Sequence, residues 1–187
     1  MKLYIVNTDE ISPELKQRYT TLLSPGDLAR YHVINNIGHR QQFITGRALI
    51  RDICGCDPRI SPSGKPSVKT GYISLAHSGP FVVLTTADTP VGIDIEDTAV
   101  HRDFEALSRR LGFSKKVDTA VDFYLSFTAY EADFKAGMPK LAHFYTYINT
   151  FIIMISTLNK NEKIESYSVI PFVRHSVLSL PFNRWQP

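Results

Sequence analysis

The stretch Val91-Gly92-Ile93-Asp94-Ile95-Glu96 alternates apolar residues with positions that include two carboxylates. Successive side chains of a β-strand point to opposite faces, so the pattern predicts a strand with an apolar core face and with Asp94 and Glu96 together on the other face. Two like charges about 7 Å apart repel each other unless a cation lies between them. Hard carboxylate oxygens suit Mg²⁺ or Mn²⁺. Taken alone, the pattern is more typical of a solvated strand face, so a metal site requires further residues that converge on this pair.

The composition is that of a globular protein with a packed core. Of the 187 residues, 43% are hydrophobic and 11% are aromatic, which is enough for one large domain or two small ones. The N-terminal run at 2–7 predicts a first strand and not a signal peptide, and the apolar run at 151–155 is too short to cross a bilayer. Cys54 and Cys56 are too close together to staple a fold, and they lack the further Cys and His of a zinc site. We therefore expect a cytoplasmic protein with reduced thiols and no membrane partner.

The charge distribution is uneven, although the net charge is only +3. Between residues 30 and 69, two acids are outnumbered by the cations Arg30, Arg40, Arg47, Arg51, Arg59, Lys65 and Lys69. Between residues 88 and 105, by contrast, six acids accompany a single arginine, Arg102. The first region suits phosphate groups and the second suits a metal ion. Nucleic acid is not a predicted partner, because no binding motif is visible and the basic residues lack aromatic interleaving suited to base stacking.

Apolar periodicity predicts an α+β protein. Ser12 is the expected N-cap of a first helix, with Pro13 at the first helical position. The predicted helices cover about 13–23, a stretch that begins near 25, 39–54, 104–111 and 119–136. The predicted strands cover about 2–7, 72–76, 81–86, 91–96, 150–156, 164–172 and 175–180, with a loop over 57–71. We expect the three strands at 72–96 to form one meander, and the strands of the tail to form a second, smaller sheet.

Four segments with chemistry-bearing residues occur in one order along the chain. They are Gly64-Lys65-Pro66, Ile73-Ser74-Leu75-Ala76-His77-Ser78-Gly79, the strand at 91–96 and Phe127-Thr128-Ala129-Tyr130-Glu131-Ala132-Asp133-Phe134-Lys135. In combination they resemble the motifs of the 4'-phosphopantetheinyl transferase superfamily, and more narrowly its two-half, Sfp-type branch. The stretch from Gln42 to Arg51 is similar to the helix that precedes these motifs in that family. The resemblance covers about residues 1–137.

The resemblance implies the 4'-phosphopantetheinyl transferase fold, which is α+β with two similar halves, each a small antiparallel sheet packed with helices in two layers. The first half is expected at 1–96 and would supply the basic, phosphate-binding side. The second half is expected at 97–187 and would supply the catalytic helix and the smaller sheet. The site would lie at the interface of the halves, so a monomer is expected.

The resemblance also implies an activity of the holo-[acyl-carrier-protein] synthase type. Such enzymes transfer the 4'-phosphopantetheine arm of coenzyme A to a serine of an apo acyl or peptidyl carrier protein and release adenosine 3',5'-bisphosphate. The carriers serve fatty-acid, polyketide or nonribosomal peptide synthesis. The reaction depends on Mg²⁺, with Mn²⁺ as an alternative. The expected partners are therefore coenzyme A and an apo carrier protein.

Site residues follow from the positions that match the motifs. By resemblance, the metal ligands are Asp94, Glu96 and Glu131. Glu131 is also the candidate general base for the serine hydroxyl, directly or through a water. Lys135 would stabilise or protonate the leaving phosphate. The residues implied to contact coenzyme A are Arg40, Arg47, Lys65, Pro66, His77, Ser78, Asp94 and Lys135.

Three positions depart from the family's pattern. Phe127 replaces a tryptophan, Tyr130 stands where a lysine is expected, and Ala76 stands where a serine often precedes the histidine. The last two changes remove a cation and a hydroxyl that could bind phosphate, so weaker coenzyme A binding is predicted. A coenzyme A-binding protein with weakened or lost transferase activity is therefore an alternative. A Mg-dependent phosphohydrolase is a further alternative, disfavoured by the basic region and the lack of a second metal cluster.

Overall fold

The chain forms five α-helices, one 3₁₀ helix (Thr8–Glu10) and eleven strands within the residues that the computed structural model describes, 1–113, 119–138 and 141–186. The α-helices are α1 (Pro13–Thr21), α2 (Pro25–Val33), α3 (Ile37–Cys54), α4 (Phe104–Leu111) and α5 (Ala120–Ala136). The strands are β1 (Lys2–Asn7), β2 (Arg59–Ile60), β3 (Pro66–Ser67), β4 (Tyr72–Ser78), β5 (Phe81–Ala87), β6 (Val91–Asp97), β7 (Ala142–Ile148), β8 (Phe151–Thr157), β9 (Glu165–Ile170), β10 (Arg174–Leu178) and β11 (Asn183–Trp185). The predicted α+β class is confirmed. No helix in these ranges has the length and apolar character needed to span a membrane.

The strands form three sheets. A five-stranded sheet has the order β10-β9-β1-β5-β4, a four-stranded sheet has the order β11-β7-β8-β6, and β2 pairs with β3. The prediction of an antiparallel sheet in each half is correct for the four-stranded sheet. It is wrong for the five-stranded sheet, because β1 runs parallel to β9 and antiparallel to β5.

Three strands lie in a different sheet from the one expected. β6 does not continue the meander of β4 and β5, since it pairs with β8 at the edge of the four-stranded sheet. β9 and β10 do not belong to a smaller sheet of the tail, since they extend the five-stranded sheet beside β1. Alternation identifies the buried face of a strand but not its neighbours, and the pairing of residues 2–5 with 165–168 spans most of the chain. The two sheets therefore do not divide at residue 96.

The core has three apolar layers, two between helices and a sheet and one between the two large sheets. Helices α1 and α3 pack on one face of the five-stranded sheet through Tyr19 and Leu49. The two large sheets pack against each other through Leu3, Ile5, Val83, Ile93, Ile95, Ile153 and Ile155. Helix α5 covers the other face of the four-stranded sheet through Phe123 and Tyr124, which contact Met154 and Ile152. The odd positions of β6 thus lie in the core, as the alternation predicts, and the even positions face α5.

Helix α5 lies unusually close to β6 at Gly92. A Cβ atom on Gly92 would lie 1.8 Å from the carbonyl oxygen of Ala132 and 2.7 Å from the backbone nitrogen of Ala136. Only glycine allows the two backbones to approach so closely. On its core side β6 is joined to β4, because the Ser74 hydroxyl accepts a hydrogen bond of 3.1 Å from the backbone N–H of Ile93. The strand that carries Asp94 and Glu96 is thereby held from both sides.

The two cysteines are free thiols at the end of α3. Helix α3 ends at Gly55, which adopts the left-handed conformation with φ 65°. Burial, followed by the neighbouring Cys56, raises the pKa of the Cys54 thiol to about 11. The Cys54 thiol is therefore protonated at neutral pH, which is consistent with the expected reduced state.

Candidate active site

Asp94 and Lys135 form the closest charged contact between the two motifs that contain them. Lys135 Nζ donates to Asp94 Oδ1 at 2.6 Å, and the side chains are 27% and 8% exposed. Asp94 lies in the middle of β6, and Lys135 lies in the last turn of α5. The close approach of α5 to β6 at Gly92 sets the distance between this helix and this strand. Residues 41 positions apart in the chain are thus joined by one ion pair.

The carboxyl group of Asp94 is buried and only half satisfied. Burial raises its pKa, and the opposing effect of the Lys135 ammonium is smaller. The nearby Glu131 carboxylate raises the same pKa further. Asp94 Oδ2 is buried and has no hydrogen-bond partner within the described part of the chain. A buried carboxylate oxygen without a partner is costly, so this atom is suited to accept a cation or a donor from a ligand.

Glu96 lies two residues further along the same face, and Arg102 is its partner. Arg102 Nη2 donates to Glu96 Oε2 at 2.9 Å. Burial raises the pKa of Glu96 to about 7, Arg102 opposes that rise, and Asp94 adds to it. Glu131 also raises the pKa of Glu96, which indicates that the three carboxylates share one electrostatic environment.

The three carboxylates predicted as metal ligands have the right chemistry for a hard divalent cation. They supply oxygen donors of the type that Mg²⁺ and Mn²⁺ prefer. Asp94 Oδ2 lacks a partner, and the mutual influence of Asp94, Glu96 and Glu131 is relieved by a positive charge between them. No group of three or more His, Cys, Asp or Glu side chains is already arranged around one point in the ranges that the structure describes. The ammonium of Lys135 and the guanidinium of Arg102 instead neutralise Asp94 and Glu96.

A cavity of about 440 Å³ opens beside Lys135. Its walls come from α2, α3, the loop before β3, β4 and α5. Basic or imidazole side chains in its lining are Arg30, His39, Arg47, His77 and Lys135. Among the described residues that line the cavity there is no Asp or Glu. A cavity lined in this way favours an anionic ligand that carries several phosphate groups.

His77, on β4, is one of the residues that line this cavity. Desolvation lowers its pKa, and the positive charges of Lys135 and His39 lower it further. The rings of His39 and His77 lie 6.4 Å apart between centroids. An anion bound beside His77 would favour its protonated imidazole, so His77 can strengthen anion binding.

Arg47 is held rigidly in the wall of the cavity. It is 9% exposed, and its Nε atom lies 3.0 Å from Oδ1 of Asp27 on α2. Nε makes no hydrogen bond to Asp27 or to any other residue in the described part of the chain. The guanidinium also lies 4.8 Å from the centre of the Phe43 ring. Arg47 therefore contributes a fixed charge with unused donor capacity.

Four residues predicted to contact coenzyme A do not line this cavity, and one of them, Asp94, is joined to its lining only through Lys135. Arg40 donates from Nε and Nη2 to the carbonyl oxygen of Ile34 and lines a separate groove between α1, α2 and α3. Lys65 lines a neighbouring cavity of about 360 Å³, which shares Pro66 with the first. Ser78 is the last residue of β4 and pairs with Phe81 across the hairpin. The predicted residues that the cavity does bring together are Arg47, Pro66, His77 and Lys135.

Sequence reasoning missed several residues of the site. His39, Gln42 and Phe43 line the cavity from α3, and Arg30 lines it from α2. The spacing of His39, Gln42 and Phe43 puts them on one helix face, which is the available signal. Arg30 belongs to the predicted basic region, but no contact with the ligand is predicted for it. The sequence gives only one indication that Arg102 pairs with Glu96, which is that this arginine is the single cation in an acidic segment.

Comparison with known proteins adds no family assignment. No protein-family model matches the chain, and no curated protein matches it significantly.

Proposed function

We propose that the protein is a 4'-phosphopantetheinyl transferase, which transfers the phosphopantetheine arm of coenzyme A to a serine of an apo carrier protein with the aid of Mg²⁺ or Mn²⁺. The observation that carries the proposal is the contact of Lys135 with Asp94 at the edge of the basic cavity. It joins a carboxylate pair suited to a metal ion to a cavity suited to phosphates. Residues from the motifs at 64–66, 73–79, 91–96 and 127–135 meet there.

The charges of the cavity support coenzyme A as the ligand. Coenzyme A carries a pyrophosphate and a 3'-phosphate, so it needs cations at two places. Lys135 contacts Asp94 and, with His77 in the same lining, suits the pyrophosphate, whereas Arg30 and Arg47 lie on the helical wall and suit the 3'-phosphate. The volume of about 440 Å³ accommodates part of such a ligand and leaves its arm outside. An arm in solvent is accessible to a carrier protein.

The chemical step uses Glu131 and Lys135 in separate roles. The serine oxygen of the carrier attacks the phosphorus that bears the pantetheine arm, and Glu131 accepts the serine proton. The bond from this phosphorus to the bridging oxygen breaks, and adenosine 3',5'-bisphosphate leaves. Lys135 stabilises the negative charge on the leaving phosphate. Mg²⁺ held by Asp94, Glu96 and Glu131 would supply positive charge to the pyrophosphate oxygens.

The test is a transfer assay with an intact-mass readout. The protein is incubated with coenzyme A, Mg²⁺ and several apo carrier proteins, and the mass of each carrier is measured. The expected result is a gain of one phosphopantetheine on at least one carrier. Cleavage of coenzyme A without any carrier would indicate a phosphohydrolase instead.

A second candidate function is a coenzyme A-binding protein with weakened or lost transferase activity. Two observations favour it. Tyr130 contacts Phe113 and is 46% exposed, so no cation stands at this position of α5. Lys135 and Arg102 already neutralise the carboxylates of β6. Binding of coenzyme A with no mass gain on any carrier would support this candidate.

Replacement of Tyr130 by lysine is expected to tighten coenzyme A binding. An added cation near the phosphates contributes modestly at an exposed position, so we expect the Kd to fall by about threefold. Isothermal titration calorimetry with coenzyme A measures the change. Tyr130→Gln is the control, because it removes the ring without adding charge. Equal affinities of Tyr130→Lys and the wild-type protein would contradict the weakened-binding interpretation.

Mg²⁺ is expected to stabilise the protein more at pH 8 than at pH 6. The pKa of Glu96 is raised from 4.5 to about 7, so the folded state binds the proton more tightly than the unfolded state does. The contribution of Glu96 to stability therefore falls as pH rises from about 4.5 to about 7, and it is constant above that range. Mg²⁺ binds the ionised carboxylate, which is the main form at pH 8. Thermal unfolding with and without Mg²⁺ at both pH values checks this.

Glu96→Gln is the control for the pH experiment. The variant has no titrating group at this position, so the difference between the two pH values should shrink. A Mg²⁺ effect that is the same at pH 6 and pH 8 in the wild-type protein would count against Glu96 as a ligand.

A further inference from the structure

A second polar contact holds α5 on its other side. His143 Nε2 lies 2.9 Å from Asp133 Oδ1, so the imidazole N–H donates to the carboxylate. The His143 side chain is 7% exposed, on β7, and that of Asp133 is 39% exposed. Neither residue lines the basic cavity, and no motif includes His143. The contact therefore lies outside the cavity, but it is made to α5, the helix that carries Glu131 and Lys135.

Asp133 and Lys135 lie on opposite flanks of the line along which α5 contacts the sheet. Ala132 marks that line, because its carbonyl oxygen lies against Gly92. At 3.6 residues per turn, Asp133 lies about 100° from Ala132 in one direction and Lys135 about 60° in the other. Lys135 reaches Asp94 on β6, and Asp133 reaches His143 on β7. These strands flank β8 on opposite sides.

The second half of α5 has no bulky buried side chains to prevent rotation. The first half is anchored by Phe123, Tyr124 and Leu125, which are buried. The buried residues further along are the alanines at 129, 132 and 136, together with Thr128. Alanine side chains do not interlock with a sheet as larger residues do. The rotational setting of this half therefore depends on the two polar contacts at its flanks.

Trp185 fixes the position of the imidazole. Its ring meets the His143 ring edge to face, with 5.4 Å between centroids and 71° between planes. Trp185 lies on β11, which pairs with β7 directly opposite His143. The neighbouring strand therefore restricts the conformation of the His143 side chain. Because the imidazole is restricted, its contact with Asp133 holds α5 in one rotational position.

We propose that Asp133 and His143 are positioning residues that set the rotation of the second half of α5 and so hold Lys135 on Asp94 and Glu131 beside it. The catalytic consequence rests on the proposed function. Neither residue touches the substrate in this scheme, since both act through the helix.

The reactivity of Lys135 toward an amine-acylating reagent tests the geometric part. Peptide mass spectrometry gives the acylation rate of each lysine, with the exposed Lys160 as internal reference. Loss of the contact between His143 and Asp133 should release the Lys135 ammonium from Asp94. The acylation rate of Lys135 should therefore rise by about fivefold in His143→Leu and in Asp133→Ala. His143→Gln and Asp133→Asn preserve a donor and an acceptor, and they should stay within about twofold of the wild-type rate.

A matched control is available in a second histidine–aspartate pair. His175 Nε2 lies 2.7 Å from Asp52 Oδ2, far from α5 in the five-stranded sheet. His175→Leu should leave the Lys135 rate unchanged. If His143→Leu raises the acylation rates of all lysines through unfolding, the Asp133→Ala variant decides, because the Asp133 side chain is partly exposed and its removal opens no buried cavity. A wild-type Lys135 rate in the folded Asp133→Ala protein overturns the proposal.

Transferase kinetics separate this proposal from the proposed function. If the wild-type protein transfers phosphopantetheine, His143→Leu should lower kcat by about tenfold and change the KM for coenzyme A less, and His143→Gln should restore kcat. An equal kcat for His143→Leu and wild type overturns the catalytic consequence. If the wild-type protein shows no transfer, the proposed function fails, and the Lys135 rates still decide whether the pair positions the helix.

Discussion

The Asp94→Ala variant is expected to lose the phosphopantetheine mass gain on the carrier protein. Asp94 supplies the most buried of the three carboxylates, and its free Oδ2 atom is suited to a metal ion. Removal of such a group should lower the transfer rate by about a hundredfold to a thousandfold. Intact-mass analysis of the carrier over time measures the rate.

Loss of activity in Asp94→Ala should not result from unfolding. Burial raises the pKa of Asp94, which means that the charged carboxylate is costly to bury even beside Lys135. Lys135 is partly exposed and can be hydrated when its partner is removed. The melting temperature should therefore stay near the wild-type value.

Asp97→Asn is a suitable control for Asp94→Ala. Asp97 is on the same strand, and its Oδ1 atom accepts a hydrogen bond from the backbone N–H of Ala99, which asparagine can also accept. This variant should transfer at the wild-type rate. Full activity of a folded Asp94→Ala protein would exclude the proposed metal site.

The Gly92→Ala variant is expected to be strongly destabilised. The added Cβ would meet backbone atoms of Ala132 and Ala136, which cannot rotate away as a side chain can. Either α5 moves away from β6 or the strand bends, and overpacking of this kind costs about 3 kcal/mol. For a protein of this size, the melting temperature should fall by about 6–12 °C.

Gly26→Ala is the matched control for Gly92→Ala. Gly26 is in the first turn of α2, and a Cβ atom there would meet nothing within 4 Å. The substitution should leave the melting temperature unchanged or raise it slightly, because alanine favours a helix. Equal melting temperatures for Gly92→Ala and the wild-type protein would show that the close approach of α5 to β6 is not required.

Most helices and strands could be predicted from local patterns. The predicted helix at 104–111 is confirmed as α4, and the helix predicted at 119–136 is confirmed as α5 within one residue at its start. Ser12 is confirmed as an N-cap, since its hydroxyl accepts from the backbone N–H of Leu15 at 3.2 Å. These features depend on neighbours within one turn or on period-two alternation. Four strands were not predicted: β2 and β3 are two-residue strands inside the segment 57–71 that was predicted as a loop, and mixed polar and aromatic residues obscure the alternation of β7 and β11.

The candidate site could be predicted only in part. The ion pair of Asp94 with Lys135 is consistent with the predicted proximity of the two motifs, although the metal itself stays a prediction. Arg40 is a predicted contact of coenzyme A. In the structure it donates to the carbonyl oxygen of Ile34 and lines another groove. A basic residue on a helix shows its charge in the sequence, but the direction of its side chain depends on the elements packed around that helix.

The sequence by itself determined which residues share a face of a strand or helix, because those faces repeat every two or 3.6 residues. It thus placed Asp94 with Glu96 on one side of β6 and the apolar residues of that strand in the core. Only the tertiary structure decided which sheet receives β6, that the tail returns to pair with β1, and that Gly92 brings α5 onto the strand. These outcomes depend on contacts between distant segments, whose strength comes from complementary shape and burial and not from any local pattern.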